Sequence, residues 1–173
     1  MMNDDFVQEL QSECLSDTKS ALEDFVGEIN NLTNDHSSVL NNLCKLLHNF
    51  KGNAQAVGFT NFANFFHLLE SIIIPLSKLV PAHVEPQEIA MMEFYLSEME
   101  GVIESYVSSL QNDFNDSQDL LLQKAHHIFH FKEWAENQYR GPFEFDNILS
   151  EVTSEDSYLE SDLTLESSPE SSE

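Results

Sequence analysis

The stretch from Pro86 to about Leu110 has the most regular apolar spacing in the chain. Its apolar residues recur alternately every three and four positions: Ile89, Met92, Leu96, Met99, Ile103, Tyr106 and Leu110. This spacing predicts an amphipathic α-helix with one face in a core. Pro86 suits the first turn of such a helix, where no backbone N–H is needed. Other helices must then cover the apolar face.

Similar spacing predicts four further helices, at about residues 4–32, 37–57, 60–76 and, with less regular spacing, 117–139. Ser37 or Ser38 is expected to cap the second helix, and Thr60 the third. Gly58 is expected to end the second helix, and Pro75 to kink the third or end it near residue 74. Because the connections are short, the predicted fold is all-α: an antiparallel up-down four-helix bundle with an additional C-terminal helix packed against it.

The acidic residues are densest at the C-terminus, where residues 143–173 carry ten acidic side chains and no basic one. Their apolar residues show no sustained period, and the Gly141-Pro142 pair breaks any preceding helix. Such a segment is expected to be disordered or to fold only on a partner. The predicted organisation is therefore a bundle at 1–112, the additional helix at 113–142 and a disordered acidic tail at 143–173.

The formal net charge of −24 limits the classes of partner. It disfavours nucleic acids and anionic membrane surfaces, and it favours proteins with a basic or mixed docking surface. No apolar run approaches the ~18 residues needed to span a bilayer, and the N-terminus lacks the features of a signal peptide. Cys14 and Cys44 lack the spacing of a zinc site or a disulfide framework. We therefore expect a cytoplasmic protein with reduced thiols.

One polar patch on the second helix suggests a reactive site. At about 100° per residue, His48, Lys51, Gly52 and Gln55 lie away from the apolar stripe, with Lys51 at its flank. An exposed glycine inside a helix costs about 1 kcal/mol relative to alanine. Clearance beside His48 for an approaching protein would explain that cost.

The third helix adds a carboxylate to this patch. His67 projects outward and Glu70 lies at the boundary of the apolar stripe. Since His48 and Glu70 are each 11 residues from Phe59, an antiparallel hairpin places them level. A carboxylate can accept the Nδ1–H of an imidazole and leave Nε2 as a nucleophile, while Lys51 can pair with phosphoryl oxygens. These are the requirements for phosphorylation of His48.

The segment "LLHNFKGNAQAVGFTNFANFFHLLE" resembles histidine-phosphotransfer (HPt) domains, most of all the N-terminal phosphoacceptor domain of bacterial chemotaxis histidine kinases. The family's His, Lys, His and Glu occur at offsets 0, +3, +19 and +22, which are His48, Lys51, His67 and Glu70 here. The resemblance implies that His48 is phosphorylated, that Glu70 orients its ring, and that Lys51 and His67 are secondary members of the site. Gly52 would provide the space that kinase and receiver domains need to approach His48.

The resemblance covers residues 4–111 and is densest at 43–70. Asn53 and Gln55 are bulkier than the residues the family often has after Lys-Gly, so the resemblance leaves partner choice open at these positions. No ATP-binding kinase domain follows the bundle, so the resemblance implies a monomeric phosphocarrier rather than an enzyme. Its partners would be histidine kinases and response-regulator receiver domains, whose active sites supply Mg²⁺, and it would need no cofactor of its own.

Two alternatives remain open. A bundle of this kind could have lost phosphotransfer and act as a docking or decoy partner of receiver domains. A second alternative is a metal site in the fifth helix at His126, His127 and His130, which are spaced three and four residues apart. The histidine cluster is more simply explained as a polar helix face.

Overall fold

A computed structural model describes residues 4–154, and in this range the protein is helical and contains no β-strand. The seven helices are α1 (Asp4–Asn30), α2 (His36–Ala56), α3 (Thr60–Leu79), α4 (Pro86–Asp113), α5 (Gln118–His126), α6 (Phe129–Tyr139) and α7 (Phe145–Thr153). The all-α prediction is thus confirmed, and the arrangement is compatible with a helical bundle.

The longest helices surround one core. α2 and α3 pack along each other most extensively, α1 packs on α2 and α4, and α5, α6 and α7 pack on α3. The rings of Phe62 and Phe65 on α3 lie 4.6 and 5.1 Å from the ring of Tyr106 on α4. Phe131 of α6 and Phe145 of α7 belong to the same buried cluster. The core therefore continues across residues 112 and 142.

The apolar stripes face this core. In α4 every predicted stripe residue from Met92 to Leu110 is buried, and Ile89 is half-buried. In α2 the buried side includes Leu40 and Leu47, whereas Leu46 is only half-buried. The polar side of α2, with His48, Gly52 and Gln55, faces solvent.

The turn between α2 and α3 closes as predicted around Gly58. Gly58 has a left-handed φ of 86°, and its N–H donates to the carbonyl of Gln55 while the N–H of Phe59 donates to that of Ala54. This pair of bonds is the Schellman motif, which satisfies the last carbonyls of the helix. The side chain of Gln11 on α1 also donates to the carbonyl of Val57. The register of α3 on α2 is thereby fixed close to the turn.

The helix caps differ from the predictions. Asp35, rather than Ser37 or Ser38, caps α2 by accepting a hydrogen bond from the N–H of Ser38. Thr60 does not cap α3; Phe59 occupies the cap position and makes no side-chain hydrogen bond there. α2 begins earlier than predicted because Asp35, directly before its first residue, offers a carboxylate acceptor.

α3 continues through Pro75 to Leu79, so it does not end near residue 74. A proline inside a helix removes one backbone hydrogen bond, but packing of α3 against α2 and the three C-terminal helices opposes termination. α3 is also long and apolar enough to cross a membrane by length and composition, yet 61% of that stretch is buried inside the protein. Its apolar character is accounted for by its position in the core.

The predicted fifth helix consists of two helices. α5 ends at His126 and α6 begins at Phe129, with the buried Ile128 between them. A single straight helix over 117–139 is therefore wrong. The break lets α5 pack on α3 and α4 while α6 follows α3.

Part of the predicted disordered tail is a helix. α7 packs on α3, and Phe145 is fully buried. Ile148, Leu149 and Val152 are half-buried against the same core. Together with Phe145 they have the i, i+3, i+4, i+7 spacing of an apolar helix face, which the acidic composition obscured. The rest of the predicted tail, 155–173, lies outside the described residues.

Candidate functional site

A buried carboxylate forms the centre of the site. Only 6% of the Glu70 side chain is exposed, and the side chains of Lys51, His48 and His67 converge on it. The sequence predicted Glu70 at the edge of the core, and the structure buries it more deeply than that. A carboxylate removed from water needs a compensating charge or hydrogen bonds. The side chains that contact Glu70 therefore support the fold as well as the chemistry of the site.

Lys51 supplies the compensating charge. Its Nζ lies 2.7 Å from Glu70 Oε1, and its side chain is 23% exposed. This distance is that of a charge-assisted hydrogen bond. Lys51 thereby holds one carboxylate oxygen in place and leaves the other oxygen available.

His48 faces the second oxygen. Its Nδ1 lies 3.4 Å from Glu70 Oε2, while 73% of the His48 side chain is exposed. The distance is slightly longer than a good hydrogen bond, but it orients the ring so that Nδ1 faces the carboxylate. Nε2 lies across the ring from Nδ1, in a side chain that is mostly exposed. An imidazole held in this way can offer the Nε2 lone pair to an approaching electrophile.

His67 approaches the same carboxylate from its own helix. Its Nδ1 lies 3.8 Å from Glu70 Oε1, and its side chain is 46% exposed. This Nδ1 atom is buried and has no hydrogen-bond partner within the described part of the chain. Lys51 is closer to the same oxygen, so His67 is a peripheral member of the site in this conformation.

The α2–α3 hairpin brings these four residues together. The rings of Phe50 on α2 and Phe66 on α3 lie 5.3 Å apart beneath the site. This buried aromatic contact and the tight turn at Gly58 fix the two helices in register. His48 and Glu70 are consequently level, as expected for an antiparallel hairpin centred on Phe59.

Gly52 and Gln55 lie on the exposed side of α2 near His48. A Cβ atom added at Gly52 would meet nothing within 4 Å, so packing inside the protein does not require a glycine there. Gly27 on α1 and Gly101 on α4 are equally open. Openness alone therefore does not distinguish Gly52, and its proximity to His48 is what makes it a candidate for partner access.

The start of α3 is held by Asp116, a residue that the sequence analysis missed. Asp116 Oδ2 accepts the N–H of Phe62, and Asp116 Oδ1 accepts the hydroxyl of Tyr106, both at 2.9 Å. The side chain of Asn61 donates to the backbone carbonyl of Asp116. Burial raises the pKa of the Asp116 carboxyl, against these hydrogen bonds. The end of α4 lies next to the start of α3, so an aspartate in the loop after α4 can cap α3. That aspartate was the one sequence signal available for this contact.

Cys44 lies one turn before His48 on α2 and is half-buried. Burial raises the pKa of its thiol; a hydrogen bond with Ser77 opposes this, and the negative charge of Glu70 adds to it. The thiol therefore stays protonated at neutral pH and competes poorly with an imidazole for an electrophile.

The C-terminal histidines do not converge on one point. His126 ends α5, His127 follows it and His130 lies on α6, and all three are exposed. Among residues 4–154, no group of three or more His, Cys, Asp or Glu side chains could hold a metal ion. His130 instead lies 3.6 Å from the exposed Glu133. This geometry gives the alternative of a metal site no support.

Comparison with known proteins found no matching family model, no similar curated protein and no matching solved structure. The functional interpretation therefore depends on the residues of the site and their geometry.

Proposed function

We propose that this protein is a histidine-containing phosphotransfer protein of a two-component phosphorelay. In this proposal His48 accepts a phosphoryl group from a histidine kinase or a receiver domain and passes it to a receiver aspartate. The observation that supports it most is the exposed His48 imidazole whose Nδ1 faces the buried Glu70 carboxylate. The HPt-like spacing of His48, Lys51, His67 and Glu70 agrees with this geometry.

The proposed transfer begins with the imidazole neutral and protonated on Nδ1, where Glu70 favours the N–H. The Nε2 lone pair attacks phosphorus and forms the N–P bond, while the bond from phosphorus to the donor oxygen or nitrogen breaks and the donor keeps the electron pair. The phosphorylated ring retains its Nδ1 proton, and its positive charge is stabilised by Glu70. Attack by a receiver carboxylate oxygen reverses these changes and restores the neutral imidazole.

Lys51 has two roles in the proposed mechanism. It compensates the charge of Glu70 in the free protein, and its remaining N–H groups can pair with phosphoryl oxygens as they arrive. His67 is a secondary group at the same carboxylate. The protein supplies the nucleophile and its orientation, and the partner's active site supplies Mg²⁺.

The packing of the helices supports an HPt-like architecture. α2 packs on α3, α1 packs on α2 and α4, and the aromatic contacts with Tyr106 join α3 to α4. This order of neighbours is that of an antiparallel up-down four-helix bundle. We propose that α1–α4 form this bundle in a monomeric carrier and that α5–α7 pack against α3 and stabilise it.

The test is phosphorylation of the purified full chain. The protein is incubated with phosphorylated receiver domains, with histidine kinases and ATP, and with the small phosphodonor phosphoramidate. We expect acid-labile, base-stable phosphate on the wild type and none on His48→Gln. His126→Gln is the matched control and should label normally. Labelling of His48→Gln at the wild-type rate would show that the site is elsewhere.

A wild type that gains no phosphate from any competent donor would contradict the carrier function. The remaining hypothesis would then be that the protein acts as a docking or decoy partner of receiver domains. Binding of receiver domains without transfer, measured by calorimetry, distinguishes that role from the loss of both properties.

A further inference from the structure

Four aromatic side chains form a continuous row from α4 to α6. The ring centroids of Phe94 and Tyr95 on α4 lie 5.3 Å apart, and that of Tyr95 lies 5.7 Å from that of Trp134 on α6. The Trp134 ring lies 5.8 Å from that of Tyr139, at the end of the same helix. These distances are typical of interacting aromatic rings. We call this row the aromatic patch.

Phe94 is the member of the aromatic patch that the fold does not explain. Tyr95, Trp134 and Tyr139 are half-buried and pack against the core. Phe94 is 54% exposed, the largest exposed fraction among the large apolar side chains of residues 4–154. A single exposed apolar residue is ordinary in a folded protein. An exposed ring that extends a row of half-buried aromatic rings is instead typical of a surface that binds another protein.

The aromatic patch lies on a strongly acidic helix. α4 carries six carboxylates and no basic residue. Glu98 is exposed one turn after Phe94, so the two side chains are neighbours on the helix surface. At the other end of the row, Glu88 Oε2 accepts the Tyr139 hydroxyl at 2.9 Å. Carboxylates therefore lie at both ends of the aromatic patch.

The neighbouring cations do not neutralise this surface. Lys132 on α6 is occupied by two carboxylates. Lys124 on α5 is buried in a cleft that Glu98 also lines, and it donates to the hydroxyl of Ser105. Arg140 directly follows the end of α6. Together, α4, α5, α6 and Arg140 carry nine carboxylates and three basic side chains. The surroundings of the patch are thus negatively charged and favour a cationic ligand.

We propose that the aromatic patch is a docking surface for an arginine-bearing segment of a partner protein. A guanidinium group can stack on an aromatic ring and at the same time donate hydrogen bonds to a carboxylate. Phe94 and Glu98 offer this pair of contacts one helical turn apart. The patch lies on α4 and α6, whereas His48 and Glu70 lie on α2 and α3. The inference therefore does not depend on the proposed function.

Trp134 is the only tryptophan of the chain, so its fluorescence reports on the aromatic patch directly. The probe is an acetylated and amidated peptide of alternating glycine and arginine residues, titrated into the full chain. Matched peptides carry lysine, glutamate or proline in place of arginine. Calorimetry measures the Kd, and the Trp134 emission shows whether the peptide reaches the patch. We expect the arginine peptide to bind most tightly and to change this emission.

Phe94→Ala is compared with Phe6→Ala. Phe6 is 47% exposed on the acidic helix α1, and neither substitution changes the net charge. We expect Phe94→Ala to raise the Kd of the arginine peptide about two- to fivefold, the loss of an exposed cation–π contact, and Phe6→Ala to leave it unchanged. Glu98→Gln should raise the Kd about twofold at low salt and less at high salt. Glu9→Gln, on α1, should have a smaller effect.

Equal dissociation constants for the two phenylalanine variants would overturn the proposal, because the peptide would then respond only to total charge. Equal binding of the lysine and arginine peptides would also overturn it, since stacking of the guanidinium would play no part. So would binding that leaves the Trp134 emission unchanged, absence of binding, or tighter binding of the proline peptide. Because Phe94 is exposed, its truncation should leave the fold intact, which circular dichroism checks.

Discussion

Lys51 Nζ lies 2.7 Å from Glu70 Oε1, which is the shortest ion pair among the described residues. The pair places a fixed negative charge next to His48 while keeping that charge compensated in a buried position. Removing one member of a buried pair leaves the other uncompensated, which costs more than the pair itself contributes. Glu70 and Lys51 should therefore affect both stability and reactivity.

Glu70→Ala is expected to slow phosphorylation of His48 by phosphoramidate about 10- to 100-fold, because the imidazole loses the group that orients it. It should also lower the free energy of unfolding by about 2 kcal/mol, because Lys51 loses its partner. Glu133→Ala is the control, since Glu133 contacts a histidine at the surface and its removal should change neither quantity. Loss of the folded state in Glu70→Ala, measured by circular dichroism, would show that Glu70 is primarily structural.

Gly52→Gln tests whether the space beside His48 is needed by a protein partner. Transfer to a receiver domain should slow about tenfold, and by more than labelling with phosphoramidate, because only the receiver needs the space. Gly27→Gln and Gly101→Gln are matched controls at equally open helix positions. All three variants should gain about 0.5 kcal/mol of stability from helix propensity. Equal slowing in all three would exclude a special role for Gly52.

Asp116→Asn should destabilise the protein by about 1–2 kcal/mol, because Asp116 accepts hydrogen bonds from Phe62 and Tyr106 on its two oxygens and asparagine offers a single acceptor oxygen. The effect should depend on pH. Burial raises the folded-state pKa of Asp116, so the folded protein binds this proton more tightly than the unfolded chain does. The resulting stability is fully present below the ordinary aspartate pKa and is lost as pH rises through the raised one.

The wild type should therefore exceed Asp116→Asn in stability by more at acid pH than at neutral pH. Urea unfolding of both proteins between about pH 3.5 and 7 measures this difference directly. Asp119→Asn, at an exposed position in the first turn of α5, should show a small difference from the wild type. A difference for Asp116→Asn that grows toward neutral pH would mean that the hydrogen bonds outweigh burial.

Phe145→Ala tests the docking of α7 on α3. Phe145 is fully buried, and its truncation should cost about 3 kcal/mol. Phe94→Ala is the control, because Phe94 is among the exposed apolar residues and its loss should cost less than about 1 kcal/mol. Thermal unfolding of the full chain measures both. Equal stability of the two variants would mean that α7 contributes little to the fold.

The relation between His48 and Glu70 could be predicted because it depends on local geometry. Helical periodicity determines which side of α2 carries His48, and the short turn at Gly58 determines the height of Glu70 on α3. The burial of Glu70 could not be derived in the same way. The burial of Glu70 depends on how the side chain of Lys51 on α2 reaches Glu70 on α3. The packing of the two helices determines this contact.

Features that depend on long-range contacts were missed. Asp116 caps α3 from a loop 54 residues away from Phe62, so no local pattern marks it as a cap. α7 was missed because its acidic composition outweighed four apolar residues at helical spacing. The break near Ile128 could not be predicted from the apolar periodicity, since the segments before and after it are both α-helices.

The Schellman turn at Gly58 makes the chemistry sensitive to chain length. Surface connections between helices usually accept insertions at little cost. One additional residue within α3, between Thr60 and Glu70, would rotate Glu70 by about 100° around the helix relative to the turn. The carboxylate would then leave the imidazole, or α3 would have to exchange its buried face. The number of helical residues between this turn and Glu70 is thus as much a part of the site as any of its side chains.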